Sequence, residues 1–165
     1  VEVAAGPDSH GTRPTLLWHG EGMGDLTITP KLAVRGADAA IDFYGAVLDA
    51  RLRTRYAMGP AVVFAELALR HGGRLQLKEA DDTDPAPPEG GGGVILDLLT
   101  DDPDALMARA LEHGAEEIFP VADQPYGSRQ GRFRDPFGHQ WIVGTPVAMT
   151  DDEVQAALDA WTRHT

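Results

Sequence analysis

TITPKLAVR, residues 27–35, runs directly into GADAAIDFYGAVLDA, residues 36–50. The first stretch alternates apolar and polar residues, the period-2 pattern of a half-buried strand. The second places Ala40, Ile41, Phe43, Tyr44, Val47 and Leu48 at helical spacing. Working outward, Arg51 to Ala57 reads as a strand that turns at Met58-Gly59-Pro60. Val62 to Leu69 is a third strand, and His71-Gly72-Gly73 is its turn. Arg74 to Glu79 is a fourth, with Leu75 and Leu77 alternating with Gln76 and Lys78. The order is β-α-β-β-β.

That order recurs beyond ADDTDPAPPEGGGG, residues 80–93, a linker whose acids, prolines and glycines suit neither helix nor strand. Val94 to Thr100 reads as a strand. Asp101 and Asp102 can cap a helix, and Pro103 suits its first turn. Leu106, Met107, Ala110 and Leu111 form the apolar stripe, and His113-Gly114 is the stop. Glu116 to Val121 and Ser128 to Arg134 are strands. Asp135-Pro136-Phe137-Gly138 is a turn, and His139 to Thr145 is the last strand. Leu48-Asp49-Ala50 and His113-Gly114-Ala115 hold matching places, so the chain is a duplicated module with a period of about 65 residues.

The expected fold class is α+β. Modules over 26–79 and 94–146 pair into a curved mixed sheet, a cup with its helices outside. Residues 1–25 read as a flexible arm, or as one docked across a partner subunit through Leu16, Leu17 and Trp18. Residues 147–165 form a C-terminal helix. Thr150 and Glu153 have capping-box spacing, and Val154, Ala157, Leu158 and Trp161 share a face expected to dock through Trp161.

Composition narrows the function. The 165 residues suit one domain over 26–165 plus the arm, and 42% of the chain is hydrophobic. Cysteine is absent, which removes disulfides, thiol nucleophiles and zinc–thiolate sites and fits a cytoplasmic protein. A net charge of −12 opposes nucleic acid and anionic membrane surfaces as partners. No apolar run approaches the roughly 18 residues of a membrane span, and no secretory leader pattern is read. Ser128 lacks a Gly-x-Ser-x-Gly setting, and Gly90 to Gly93 lacks the Lys-Ser/Thr of a phosphate loop.

ITPKLAVRGADAAIDFY (28–44), GAEEIFPVADQPYGSRQGRFRDPFGHQW (114–141) and YGSRQGRFRDPFGHQWIVGT (126–145) resemble the vicinal oxygen chelate superfamily. This is the glyoxalase, bleomycin-resistance and extradiol-dioxygenase group, and its PhnB-like branch is the nearest in pattern. The resemblance implies a homodimer that takes a small-molecule ligand, an antibiotic or metabolite, in the cup. Its metal-dependent members hold a divalent ion through His on the first strand of a module and Glu on the last. Those positions fall here near Thr29 or Pro30, Ile95, Gln76 and Ile142, and a further histidine slot of PhnB-like sequences falls on Phe64. The expectation is a binding protein without catalytic metal or other cofactor. The alternative is a metal-dependent lyase, isomerase or dioxygenase of the same superfamily.

The candidate ligand-binding residues are Tyr56, Phe64, Tyr126 and Phe133 as aromatic walls, and Ile142 inside the cup with Trp141 in the core. Glu66, Gln76 and Lys78 would orient the ligand, and Arg129 would reach an acidic one. No catalytic residue is identified. Several residues also carry structural readings. Glu66 could pair with Arg53 or Lys78, Lys78 could be solvated at the rim, and Arg129 could stabilise its turn. His139 would hold the Asp-Pro-Phe-Gly turn, and Arg134 would hold Asp135.

Overall fold

Alternation decides which side of each strand is buried. On β1 (Lys31–Val34) Leu32 and Val34 are buried, and on β4 (Arg74–Glu79) Leu75 and Leu77 are. The same side of β3 (Ala61–Ala68) buries Ala65 and Leu67. These side chains share a core with α1 (Ala37–Leu48), whose buried stripe is Ala40, Phe43, Tyr44 and Val47. β2 (Arg51–Met58) completes a sheet of order β1-β4-β3-β2, with β1 parallel to β4 and the other pairs antiparallel.

The second module repeats the plan with β5 (Ile95–Leu99), α2 (Pro103–Glu112), β6 (Glu116–Asp123), β7 (Arg129–Arg134) and β8 (Gln140–Gly144). Its sheet runs β5-β8-β7-β6, with β5 parallel to β8. The computed structural model describes residues 27–90 and 92–163. The fold is α+β: two four-stranded mixed sheets, their two helices, and a third helix, α3 (Asp151–Thr162). The expected arm, with Leu16, Leu17 and Trp18, lies outside the described residues apart from its neighbour Thr27 onward.

The helix ends explain themselves chemically. Gly36 precedes α1 at φ 86°, a left-handed conformation that glycine adopts without cost. Glu79, at the end of β4, accepts from the backbone N–H groups of Gly36 (2.8 Å) and Ala37 (2.9 Å). A carboxylate there satisfies orphan donors and complements the helix dipole. Asp102 accepts from Ala105 N–H at 2.9 Å at the start of α2, and Thr150 and Glu153 form the expected capping box on α3. Asp49 (φ 53°) and Gly114 (φ 94°) follow the ends of α1 and α2 in the same left-handed state.

Two expectations need correction. The strand read over 27–35 is confined to Lys31–Val34. Pro30 has no N–H to donate, and only its carbonyl joins β4, accepting from Gln76 N–H at 2.9 Å. Among the described residues Trp161 is not docked, and it stands 55% exposed. Among the described residues the shared core contains nothing beyond Val143, and the α3 stripe of Val154, Ala157 and Leu158 is only half-buried.

One core runs through both modules, with α1 packed on α2. Its polar fastening is Asp135, 3% exposed. Tyr44 Oη donates to Asp135 Oδ2 at 2.6 Å and Trp141 Nε1 to the same oxygen at 2.8 Å. Oδ1 accepts from the backbone of Phe137 (3.0 Å) and His139 (2.9 Å). His139 also lies with Nε2 3.2 Å from Ala33 O, so it joins the turn to β1.

Candidate functional site

Each sheet gives one face to a helix and leaves the other open. On the first sheet, Lys31, Gln76, Glu66 and Thr54 lie side by side across β1, β4, β3 and β2 on the open face. Tyr56 is opposite Phe64, and their rings stack with centroids 5.9 Å apart and planes at 25°. Lys31 Nζ sits 5.2 Å from the Phe64 centroid, a cation over a ring face.

Gln76 Nε2 donates to Glu66 Oε2 at 3.3 Å, and Arg74 Nη1 lies 3.9 Å from Glu66 Oε1. Glu66 therefore pairs with these two, not with Arg53 or Lys78. Lys78 is not a solvated rim residue: Nζ donates to Asp81 (2.7 Å) and Asp84 (2.6 Å). Its bonds to Asp81, then Asp84, hold its ammonium above the ordinary lysine range. Lys78 thus fastens the start of the linker to the sheet.

On the second sheet, Phe119, Arg132, Ile142 and Asp97 form a row across β6, β7, β8 and β5. Trp141 lies on the helix side, 2% exposed, and Ile142 on the open side, as alternation requires. Tyr126 stands in the β6–β7 turn; burial, then the charge of Asp97, raises its hydroxyl above the ordinary value.

Phe133 and Arg129 do not share the open face. Phe133 is 1% exposed, lies opposite Trp141 and stacks on it with centroids 6.3 Å apart. Arg129 has the same parity on β7 and turns toward α2. Its Nε and Nη2 each donate to Asp104 at 2.7 Å, and Nη1 donates to Asp123 at 3.1 Å. Asp104, then Asp123, hold the guanidinium well above its ordinary value. Arg134 reaches Glu116 (2.7 Å) and Gly90 O (3.3 Å), leaving Asp135 to other donors.

Of the nine candidates, five gather on the first open face: Tyr56, Phe64, Glu66, Gln76 and Lys78. Ile142 lies on the second, and Tyr126, in the β6–β7 turn, is near enough to Asp97 to feel its charge. Sequence reading passed over Arg132 and Asp97 and left Phe119 outside its chosen set. Alternation gives each strand its own two sides, but the register that sets Asp97, Arg132 and Phe119 in one row with Ile142 is a tertiary fact, and bulges on both sides of Phe119 break the alternation of β6.

Of the positions that the resemblance assigns to chelating residues, Gln76, Ile95 and Ile142 lie on these faces, as does the further slot at Phe64, while Thr29 and Pro30 precede β1. One amide and three hydrocarbon side chains do not fit a tightly held divalent ion. Among the described residues no group of three or more His, Asp or Glu side chains is placed to hold one. Two grooves flank the module junction. One of about 660 Å³ lies between β1, the linker and β5, with Lys31, Lys78 and His139 in its walls. The other, about 890 Å³, is lined by Asp49, Arg70 and Arg109 and includes none of the nine candidates.

Comparison with known proteins agrees with this geometry. Residues 26–143 match the Glyoxalase/Bleomycin resistance protein/Dioxygenase superfamily. An uncharacterized protein of Mycobacterium bovis, Mb0911c, is 36% identical over 141 residues, covering 81% of this chain and 92% of its own. TioX from Micromonospora sp. ML1 superimposes with a TM-score of 0.58 at 26% identity, over 73% of this chain and 98% of that one. The fosfomycin resistance protein FosX from Mesorhizobium loti shares the fold with a TM-score of 0.60 at 16% identity, over 81% and 99%. A duplicated β-α-β-β-β chain that matches this profile over most of its length belongs to the glyoxalase/bleomycin resistance protein/dioxygenase superfamily, the vicinal oxygen chelate group.

Proposed function

We propose that the protein binds a small planar organic molecule, a metabolite or an antibiotic, on its open sheet faces without a catalytic metal. The observation that carries this reading is the stacked Tyr56–Phe64 pair on the same open face as Glu66 and Gln76. Aromatic faces hold a flat ligand by stacking and by removing apolar area from water. Glu66 and Gln76 supply a carboxylate and an amide to set its orientation. Lys78, engaged by Asp81 and Asp84, shapes the rim through the linker. No bond is made or broken.

The same reading makes the protein a cytoplasmic homodimer. In a single chain Tyr56 is 62% and Phe119 59% exposed, and a second copy of the chain closes the cup over them. The AIDFY motif and the pattern through 114–141 support a reading of it as a PhnB-like member.

Native mass spectrometry of protein purified without added metal tests both parts. A species at twice the 17.7 kDa chain mass with no stoichiometric divalent ion is expected. N-phenyl-1-naphthylamine, an uncharged planar probe, is expected to bind, and Phe64→Ala to weaken it by at least about tenfold. One firmly held divalent ion per chain, with an activity lost to chelator and restored by metal, replaces this reading with the lyase, isomerase or dioxygenase alternative.

A further inference from the structure

Strand β7 carries three arginines, all half-buried, and they have different fates. Arg129 is engaged by Asp104 and Asp123, and Arg134 by Glu116. Arg132 stands between them on an inner strand, facing the open side beside Phe119 and Ile142. Among the described residues it has no carboxylate partner. Its bond is from Nη2 to the neutral amide oxygen of Gln140, and Gln140 is itself aimed by donating through Nε2 to Gly90 O at 3.0 Å. Arg132 Nε is shielded from solvent with no acceptor. Arg134 Nε is likewise without one, but Glu116 meets that residue's charge.

A guanidinium offers five N–H donors, and a partly desolvated one without a counter-charge is costly. The chain is not short of anions, with 26 acidic residues against 14 Lys and Arg. The acidic member of the row, Asp97, lies two strands away, about 10 Å by the usual strand spacing. Arg132 thus stands on an open face with one neutral hydrogen-bond partner and, among the described residues, no counter-charge.

We propose that Arg132 is the specificity-determining residue of the ligand site, and that it selects a planar aromatic ligand bearing an anionic oxygen group, a carboxylate or sulfonate. The planar guanidinium fork matches such a group in shape and charge. Phe119 and Ile142 flank it with apolar surface for the ring. The chain's charge of −12 opposes anions elsewhere, so the preference is local. This proposal rests on the reading of the open faces as a ligand site, and the probes below separate the two.

The full-length protein is titrated with 1-anilinonaphthalene-8-sulfonate and with its uncharged relative N-phenyl-1-naphthylamine, for wild type and Arg132→Gln. The variant is expected to lose at least about tenfold in affinity for the sulfonate and less than about twofold for the neutral probe. Equal losses for both, or no loss for either, overturn the proposal. Failure of wild type to bind either probe sinks the ligand-site reading itself. Should Arg132→Gln not fold, competition on the wild type decides. There 2-naphthoate is expected to displace the neutral probe at about a tenth of the concentration that 2-naphthamide requires, and equal potency overturns the assignment.

Discussion

Asp135 is a charged side chain in the interior, and it is tolerable there because four donors converge on it from Tyr44, Trp141 and two backbone positions. Asp135→Ala removes the acceptor and strands the donors. The expected loss is about 3–5 kcal/mol, read as a lowered urea midpoint. Tyr44→Phe deletes one charge-assisted bond and is expected to cost about 1.5–3 kcal/mol. Burial, then the Asp135 charge and hydrogen bond, raises the Tyr44 hydroxyl well above its ordinary 10.0. Above that pH the unfolded chain releases a proton that the folded chain retains. Stability is therefore full below pH 10 and falls above it, by up to about 1.4 kcal/mol per pH unit. Denaturation series from pH 8 to 11 should show the decline for wild type and a shallower one for Tyr44→Phe. Sequence reading found the Asp-Pro-Phe-Gly turn and gave it to His139, whose backbone N–H does bond Asp135, but it also gave Asp135 to Arg134, which pairs with Glu116 instead. Tyr44 lies 91 residues from Asp135, and no local pattern announces such a pairing.

Elements were the most legible scale, because periodicity is a local signal. The strand–helix order, the linker, the capping box and the matched stops after α1 and α2 all follow from neighbouring residues. What spacing could not show is the cap that Glu79 provides to α1 across 42 and 43 residues of sequence. Glu79→Ala is expected to cost about 1–2 kcal/mol with a loss of ellipticity on mild heating. Gly131, on the buried side of β7, sits so close that an added Cβ would lie 2.9 Å from both Met107 Cε and the backbone nitrogen of Val121. Gly131→Ala is expected to destabilise by about 1–3 kcal/mol in the same urea assay, because the backbone atom cannot yield. The site was half legible for the same reason. Parity placed Ile142 and Trp141 on their proper sides, and the same count applied to Phe133 and Arg129 puts both away from the open face.

At the scale of the molecule, a core shared by both modules and a fastening at Asp135 make the two halves one cooperative unit. Unfolding followed by far-ultraviolet circular dichroism and by tryptophan fluorescence should give coincident curves, and two separated transitions would contradict the shared core. The fastening also breaks the symmetry of the duplication. In the first module the place of the Asp135 turn is taken by Leu69 to Gly73, which has no carboxylate, and α2 has no tyrosine to answer Tyr44. A pair of first halves would offer a phenol with no acceptor, and a pair of second halves an acceptor with no phenol. Descendants of one template have thereby become obligate complements, and drift in either is answerable to the other.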